Sequence, residues 1–344
     1  LAETRRPRSL LVSLAAIALV VGGSAAAFAY TAGWLSPGRL TPDKVVDAFA
    51  PPGGPALGHR RNHAKGICFT GFFEANGAGA ELSRAKVFEA GRYPIVGRFN
   101  FGTPDPHAPD ASARVRGFSV RIQTPDGQEW RSAMISAPFF PVSTPQDFYQ
   151  LLKLLAAKDP EQVKAFAGAH PRFAAFGAWT KSAPWTGSYA EERYNGLNSF
   201  IFTDAGGKDH AVRWSLIPEA TPTPAPAEEL AKRGPDFLEQ EIAQRIAAAP
   251  ARWKLVVTVA GPGDPAADPS QPWPEGRRTV EAGTLVADKV EQEVDGPCRD
   301  VNFDPTVLPD GIRTSDDPFP AARSAAYAVS FDRRTAEAKN YGAQ

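Results

Sequence analysis

The sequence carries no surplus of charge: 38 Lys and Arg balance 38 Asp and Glu. Nucleic-acid binders normally show a basic excess, so that class of partner is excluded. Cysteine is scarce, with only Cys68 and Cys298, and there is no CxxC pair and no Cys/His cluster. That argues against a zinc site and against covalent attachment of a c-type haem. Whether the two cysteines are buried thiols or one disulfide depends on the compartment. No internal repeat is visible. A long charge-free run occurs at the N-terminus, from Leu10 to Ala29.

What is abundant is hydrophobic residues, at 43% of 344, with 21 Phe among them. That suffices for a large core in one domain or two. The 33 Pro and 30 Gly predict many turns and irregular connections rather than a helical bundle.

The N-terminal run follows Arg5-Arg6-Pro7-Arg8, a basic region before a membrane-length apolar segment. Ala27-Phe28-Ala29 is a candidate signal-peptidase site, and the paired arginines loosely fit a twin-arginine export signal. Residues 1–35 therefore read as a cleaved signal or an uncleaved anchor. Apolar character up to Leu35 favours the anchor, a single N-terminal transmembrane helix. Basic residues ahead of the span put the rest of the chain outside the cytoplasm, in the periplasm or beyond. Residues 36–58, with Pro37, Pro51, Pro52, Gly53, Gly54 and Pro55, read as a linker holding one short helix, 42–49.

From Gly66 the pattern becomes β-prone. Strands are expected at 67–74, 95–101, 117–123 and 129–136, then at 199–203, 212–218, 254–260 and 283–290. Helices are expected at 145–157, within 160–176, at 236–249 and at 320–339, with Pro320 in the first turn of the last. The class is α+β, with an antiparallel barrel or sheet. On the final helix Arg323 and Tyr327 are one turn apart and share a face.

Four blocks then carry a resemblance. Arg60-Arg61-Asn62-His63-Ala64-Lys65-Gly66, running on to Phe73-Glu74, is similar to the distal-histidine strand of the haem catalase family. Gly97-Arg98-Phe99 and Arg116-Gly117-Phe118 are similar to its next two strands. Pro138-Phe139-Phe140 through Phe148 resembles its distal phenylalanine segment. Phe303-Asp304-Pro305, Leu308 to Ile312 and Arg323 to Tyr327 resemble the approach to its proximal tyrosine. The likeness spans about residues 59–335 and is nearest to the short, membrane-associated or exported catalase-related peroxidases.

The resemblance implies an antiparallel eight-stranded barrel surrounded by helices, with 59–344 as a haem domain. It implies haem b, with Tyr327 as the axial ligand of the iron. A free phenol ionises near ~10, and Arg323 would help keep the phenolate charged. Asp317 is similar to the acidic partner of that arginine. His63 would be the catalytic acid–base group. Arg60, Arg98 and Arg334 would hold haem propionates, for which the guanidinium fork is suited. Phe140 and Phe148 would wall the pocket and exclude water. His59, His107, His170 and His210 match no family position and read as surface residues. Cys68 and Cys298 lie on segments that approach each other in the family, so a bridge is implied if the chain is exported. It would close a loop of about 230 residues and add ~5 kcal/mol in the entropic description. Bound NADPH is not expected, since the chain stops soon after Tyr327.

Three positions depart from the catalase pattern. Ile135 stands where catalases carry an asparagine and cannot hydrogen-bond a second peroxide. Asn62 replaces an apolar residue before His63, and Asn100 replaces a small hydroxyl residue. These changes favour a peroxidase that reduces organic peroxides or hydrogen peroxide with a small external electron donor, keeping weak catalase activity. The alternatives are a non-catalytic haem-binding protein and a fatty-hydroperoxide lyase or isomerase on the same fold.

Overall fold

The computed structural model describes residues 7–36 and 38–340. Arg5, Arg6 and Pro37, named above, lie outside them. The chain divides into two compact units, Leu1–Val45 and Val46–Gln344. The first contains α1, Pro7–Thr31, whose stretch Leu10–Thr31 has a mean hydropathy of 2.3 and is not buried against protein. The short α2, Pro42–Asp47, crosses the division.

The second unit is a closed barrel with helices. In chain order its elements are β1 Gly66–Ala75, β2 Gly91–Phe101, β3 Arg116–Gln123, β4 Glu129–Ile135, α3 Pro145–Ala157, α4 Pro160–Ala169 and α5 Pro171–Ser182. There follow β5 Trp185–Thr186, β6 Tyr194–Thr203, β7 Asp209–Pro218, β8 Pro224–Ala225, α6 Ala227–Ala231 and α7 Phe237–Ala248. The end comprises β9 Ala251–Val259, β10 Thr279–Glu291, β11 Ile312–Thr314 and α8 Phe319–Ala336. Eight antiparallel strands run β6-β4-β3-β2-β1-β10-β9-β7 and return to β6, with β11 added on β6. This is the expected eight-stranded antiparallel barrel. Short β11, β5, β8 and α6 are additions that the sequence pattern did not predict.

Strand alternation sorts the residues. Ile67, Phe99, Phe118 and Met134 face one another across β1 to β4 and are buried inside. With Phe69, Tyr189, Tyr194 and Trp253 they fill the barrel; ring centroids lie 4.4 Å apart for Phe69–Phe99 and 5.2 Å for both Phe99–Tyr189 and Phe118–Trp253. A barrel of eight strands is just wide enough to be packed this way. The filled interior leaves the outer face as the place for a candidate site. There the adjacent row is Gly66, Asn100, Gly117 and Ile135. Ile135 also makes the single residue pair, with Asn195, that joins β4 to β6.

α3 begins with Thr144, whose hydroxyl accepts from the Asp147 amide, and Pro145 occupies the first turn. α8 begins similarly, with Asp317 Oδ1 accepting from the Phe319 amide at 2.9 Å. A long loop between β10 and β11 covers part of the outer barrel face: Arg131 of β4 donates from its amide to the Val307 carbonyl and from Nη1 to the Asn302 carbonyl.

Candidate active site

His63 lies just before β1 with φ +54, one of two non-glycine residues with positive φ among the described residues. The left-handed region costs an ordinary residue ~1–2 kcal/mol, so the surroundings must hold it. Its ring lies over the Gly66–Ile135 row. A Cβ at Gly117 would collide with Asn100 Oδ1 and come 3.2 Å from His63 Nδ1. The missing side chain at Gly117 thus gives the imidazole its place, with Asn100 on one side and Ile135 next in the row. His63 Nδ1 is buried and makes no regular hydrogen bond among the described residues. Asn100 is the polar group against it, and its influence partly offsets the loss of hydration. Burial, with the charges of Arg98, Arg323 and Arg60, lowers the imidazole pKa to about 4. His63 is accordingly neutral near pH 7.

Next to it, Lys65 is buried between Asp110 at 2.9 Å and Asp236 at 2.7 Å, and donates to the carbonyls of Ala108 and Pro235. This anchors the start of β1. The loop before His63 is laced to α8. Arg61 donates from its amide to Ser330 Oγ and from its fork to Glu337 at 2.7 and 2.9 Å, and the Gly58 amide donates to Glu337.

Tyr327 is one turn before Ser330 on that helix. Arg323 Nη2 donates to the Tyr327 hydroxyl at 3.1 Å, as the helical spacing predicts. The same Nη2 donates to the Ala133 carbonyl at 3.0 Å, and Nη1 donates to Asn198 Oδ1 at 2.6 Å. The expected Asp317–Arg323 pair needs correction. Asp317 accepts from Asn198 Nδ2 at 2.9 Å, and the asparagine stands between acid and guanidinium. Burial raises the Asp317 pKa and outweighs the Asn198 hydrogen bond and the charge of Arg213. Ser324, one residue on, donates to Asp304 at 2.6 Å, so the Phe303-Asp304-Pro305 segment docks α8.

Arg60, Arg98 and Arg334 come together on the β10–β11 loop. Arg60 and Arg334 both donate to the carbonyls of Arg299 and Val301. Arg60 and Arg98 share the carboxylate of Glu293. Glu293 is 4% exposed; burial would raise its pKa, but the two guanidinium charges outweigh this and keep it below the ordinary value. Cys68 and Cys298 form a disulfide that ties this loop to β1.

Phe140 packs against Phe148 at 5.1 Å and against Phe319, in the first turn of α8, at 4.9 Å. Of the histidines expected at the surface, His59 is instead buried at 8% exposure, within reach of the charges of Glu293, Arg98 and Arg60. His107 is exposed, while His170 and His210 are half-buried beside Asp147 and Asp204. Sequence reading missed Glu293 and Asn198. Glu293 sits in a polar loop with no periodic pattern, and Asn198 lies in the polar first half of a strand, between Leu197 and Ser199, where the apolar pattern is weak.

A family model described as Catalase matches residues 56–342. The chain is 33% identical over 336 residues to the catalase-related peroxidase of Synechococcus elongatus, covering 95% of this chain and 96% of the other. It is also 33% identical over 301 residues to the catalase-related peroxidase of Mycolicibacterium paratuberculosis, covering 87% and 96%. A solved bacterial catalase superimposes with a TM-score of 0.72 at 19% identity, over 80% of this chain and 57% of the other. That match shows a shared fold, and the chain spans just over half of the larger one. From these matches and the barrel described above, the chain belongs to the catalase family, in its catalase-related peroxidase branch, as an oxidoreductase acting on peroxide.

Proposed function

We propose that the chain is a haem-dependent peroxidase that reduces organic peroxides or hydrogen peroxide with a small external electron donor. The observation that carries this is the Arg323–Tyr327 hydrogen bond, which suits a phenolate donated to ferric iron. The other residues fit a haem as well. Arg60 and Arg98 share the Glu293 carboxylate and Arg334 lies 3.9 Å from Asp300, which gathers three guanidinium forks, a group suited to carboxylates such as propionates, on one face. Haem b, when bound, would supply the redox chemistry. Tyr327 would hold the iron, Arg60 and Arg334 would face the propionates, and Phe140 and Phe148 would exclude water.

His63 does the proton work. As a neutral imidazole it takes the proton from the peroxide oxygen that stays and returns it to the oxygen that leaves. The balance is one peroxide, two electrons and two protons giving one alcohol, or water, and one water. Ile135 on the row beside His63 offers no hydrogen bond to a second peroxide, which supports peroxidase turnover over dioxygen release. The Cys68–Cys298 disulfide supports export, since such bonds persist outside the cytoplasm; α1 would be the signal or the membrane anchor.

The test is an absorption spectrum of the purified protein with peroxidase assays. A tyrosinate-ligated ferric spectrum lost in Tyr327→Phe, and turnover lost in His63→Ala, are the expected results. Vigorous dioxygen release from hydrogen peroxide without donor would overturn the ranking of activities.

A further inference from the structure

The resemblance gives Arg98 to a cofactor carboxylate, yet its fork is used within the protein. Nε and Nη2 donate to Glu293 Oε1 and Oε2 at 2.8 and 2.6 Å. On its other side Nη1 donates to the carbonyl of His63 at 2.8 Å and Nη2 to that of Ala64 at 2.9 Å. Arg98 and Glu293 are 1% and 4% exposed, so these charge-assisted bonds are shielded from water. The two carbonyls belong to the residue with left-handed backbone and to the one after it. Gly66 leaves the way open, since a Cβ there would stand 2.7 Å from Arg98 Cζ. On the far side, Glu293 is held by Arg60 as well, and its loop by the disulfide to Cys68, the residue paired with Arg98 across β1 and β2.

We propose that Glu293 is a positioning residue for His63, acting through Arg98. The carboxylate fixes the fork, the fork fixes the two carbonyls, and these fix the backbone from which the imidazole reaches over Gly117. This rests on the reading of His63 as the group that moves the proton. The role of Glu293 is therefore to aim a proton donor, and its loss should be felt where the leaving oxygen needs that proton.

Leaving-group acidity separates aim from general damage. An alkyl hydroperoxide releases a strongly basic alkoxide unless protonated, whereas a peracid releases a carboxylate that needs little help. The experiment compares rapid-mixing rates of haem-loaded Glu293→Gln and Glu293→Asp with cumene hydroperoxide and with peracetic acid. In parallel, the ring signals of histidine-labelled, haem-free protein are followed by NMR. Glu293→Gln should slow the hydroperoxide reaction by about tenfold to a hundredfold, leave the peracid rate nearly unchanged and move the His63 ring signal. Glu293→Asp, which keeps the charge, should restore part of the rate, and it carries the test alone if the glutamine variant does not fold. Equal slowing of both substrates, or no slowing of the hydroperoxide, overturns the proposal. His63→Ala is the control. If it leaves the hydroperoxide rate intact, the role of His63 itself is wrong; if it abolishes that rate while the Glu293 variants fail to discriminate, only the positioning role falls.

Discussion

His63 combines two properties at one residue, a left-handed backbone and an imidazole kept neutral by burial. Its folded pKa of about 4 is below the unfolded value of 6.5, so the unfolded chain binds more protons between them. The stability it contributes is fully present above pH 6.5 and is lost as pH falls toward 4. Urea denaturation of wild type and His63→Gln across that window should show the wild type losing more. The acid limb of kcat/KM with alkyl hydroperoxide should likewise fall near pH 4, well below an ordinary histidine. A second expectation concerns Gly117. Gly117→Ala introduces a methyl that meets Asn100 and His63, and should cost ~1–3 kcal/mol with loss of turnover. Melting curves and steady-state rates would show whether both effects appear together. At this scale the sequence was informative where partners are near in the chain: Arg323 and Tyr327 meet because of helical spacing. Glu293 with Arg98, and Asn198 between Asp317 and Arg323, are meetings across more than a hundred residues, which no local pattern encodes.

Among the elements, α8 is fastened along its length to the barrel and to the loop that carries His63. Arg323 reaches β4 through the Ala133 carbonyl and β6 through Asn198, Ser324 reaches Asp304, and Glu337, just past the helix, reaches Arg61. Asn198→Ala removes the amide that answers both Asp317 and Arg323. The expected loss is ~1–3 kcal/mol, read from the urea midpoint, with altered absorption of the haem-loaded protein under the proposed Tyr327 ligation. Alternation of apolar residues made β2 and β3 legible at 95–101 and 117–123, and β-prone residues in an apolar run did so for β1 at 67–74. The start of β6 escaped because Asn195 and Gly196 weaken its strand signal, and β11 because three residues are too few for a period.

The molecule as a whole is stapled once, at Cys68–Cys298, across a separation of 230 residues. In the chain-entropy description such a loop contributes ~5 kcal/mol at most, less whatever order the unfolded chain retains. The double variant Cys68→Ser/Cys298→Ser should lower the denaturation midpoint markedly, and reductant should then have no further effect on it. The residues alone left bridge and free thiols equally open, since pairing depends on where β1 and a distant loop end up. Another property of the whole concerns its weakest junction. The ladder between β4 and β6 is one pair long, Ile135 with Asn195, while the neighbouring strands are knit by longer ladders. Among the barrel strands, amide hydrogen exchange should begin at that junction, while the aromatic interior stays protected.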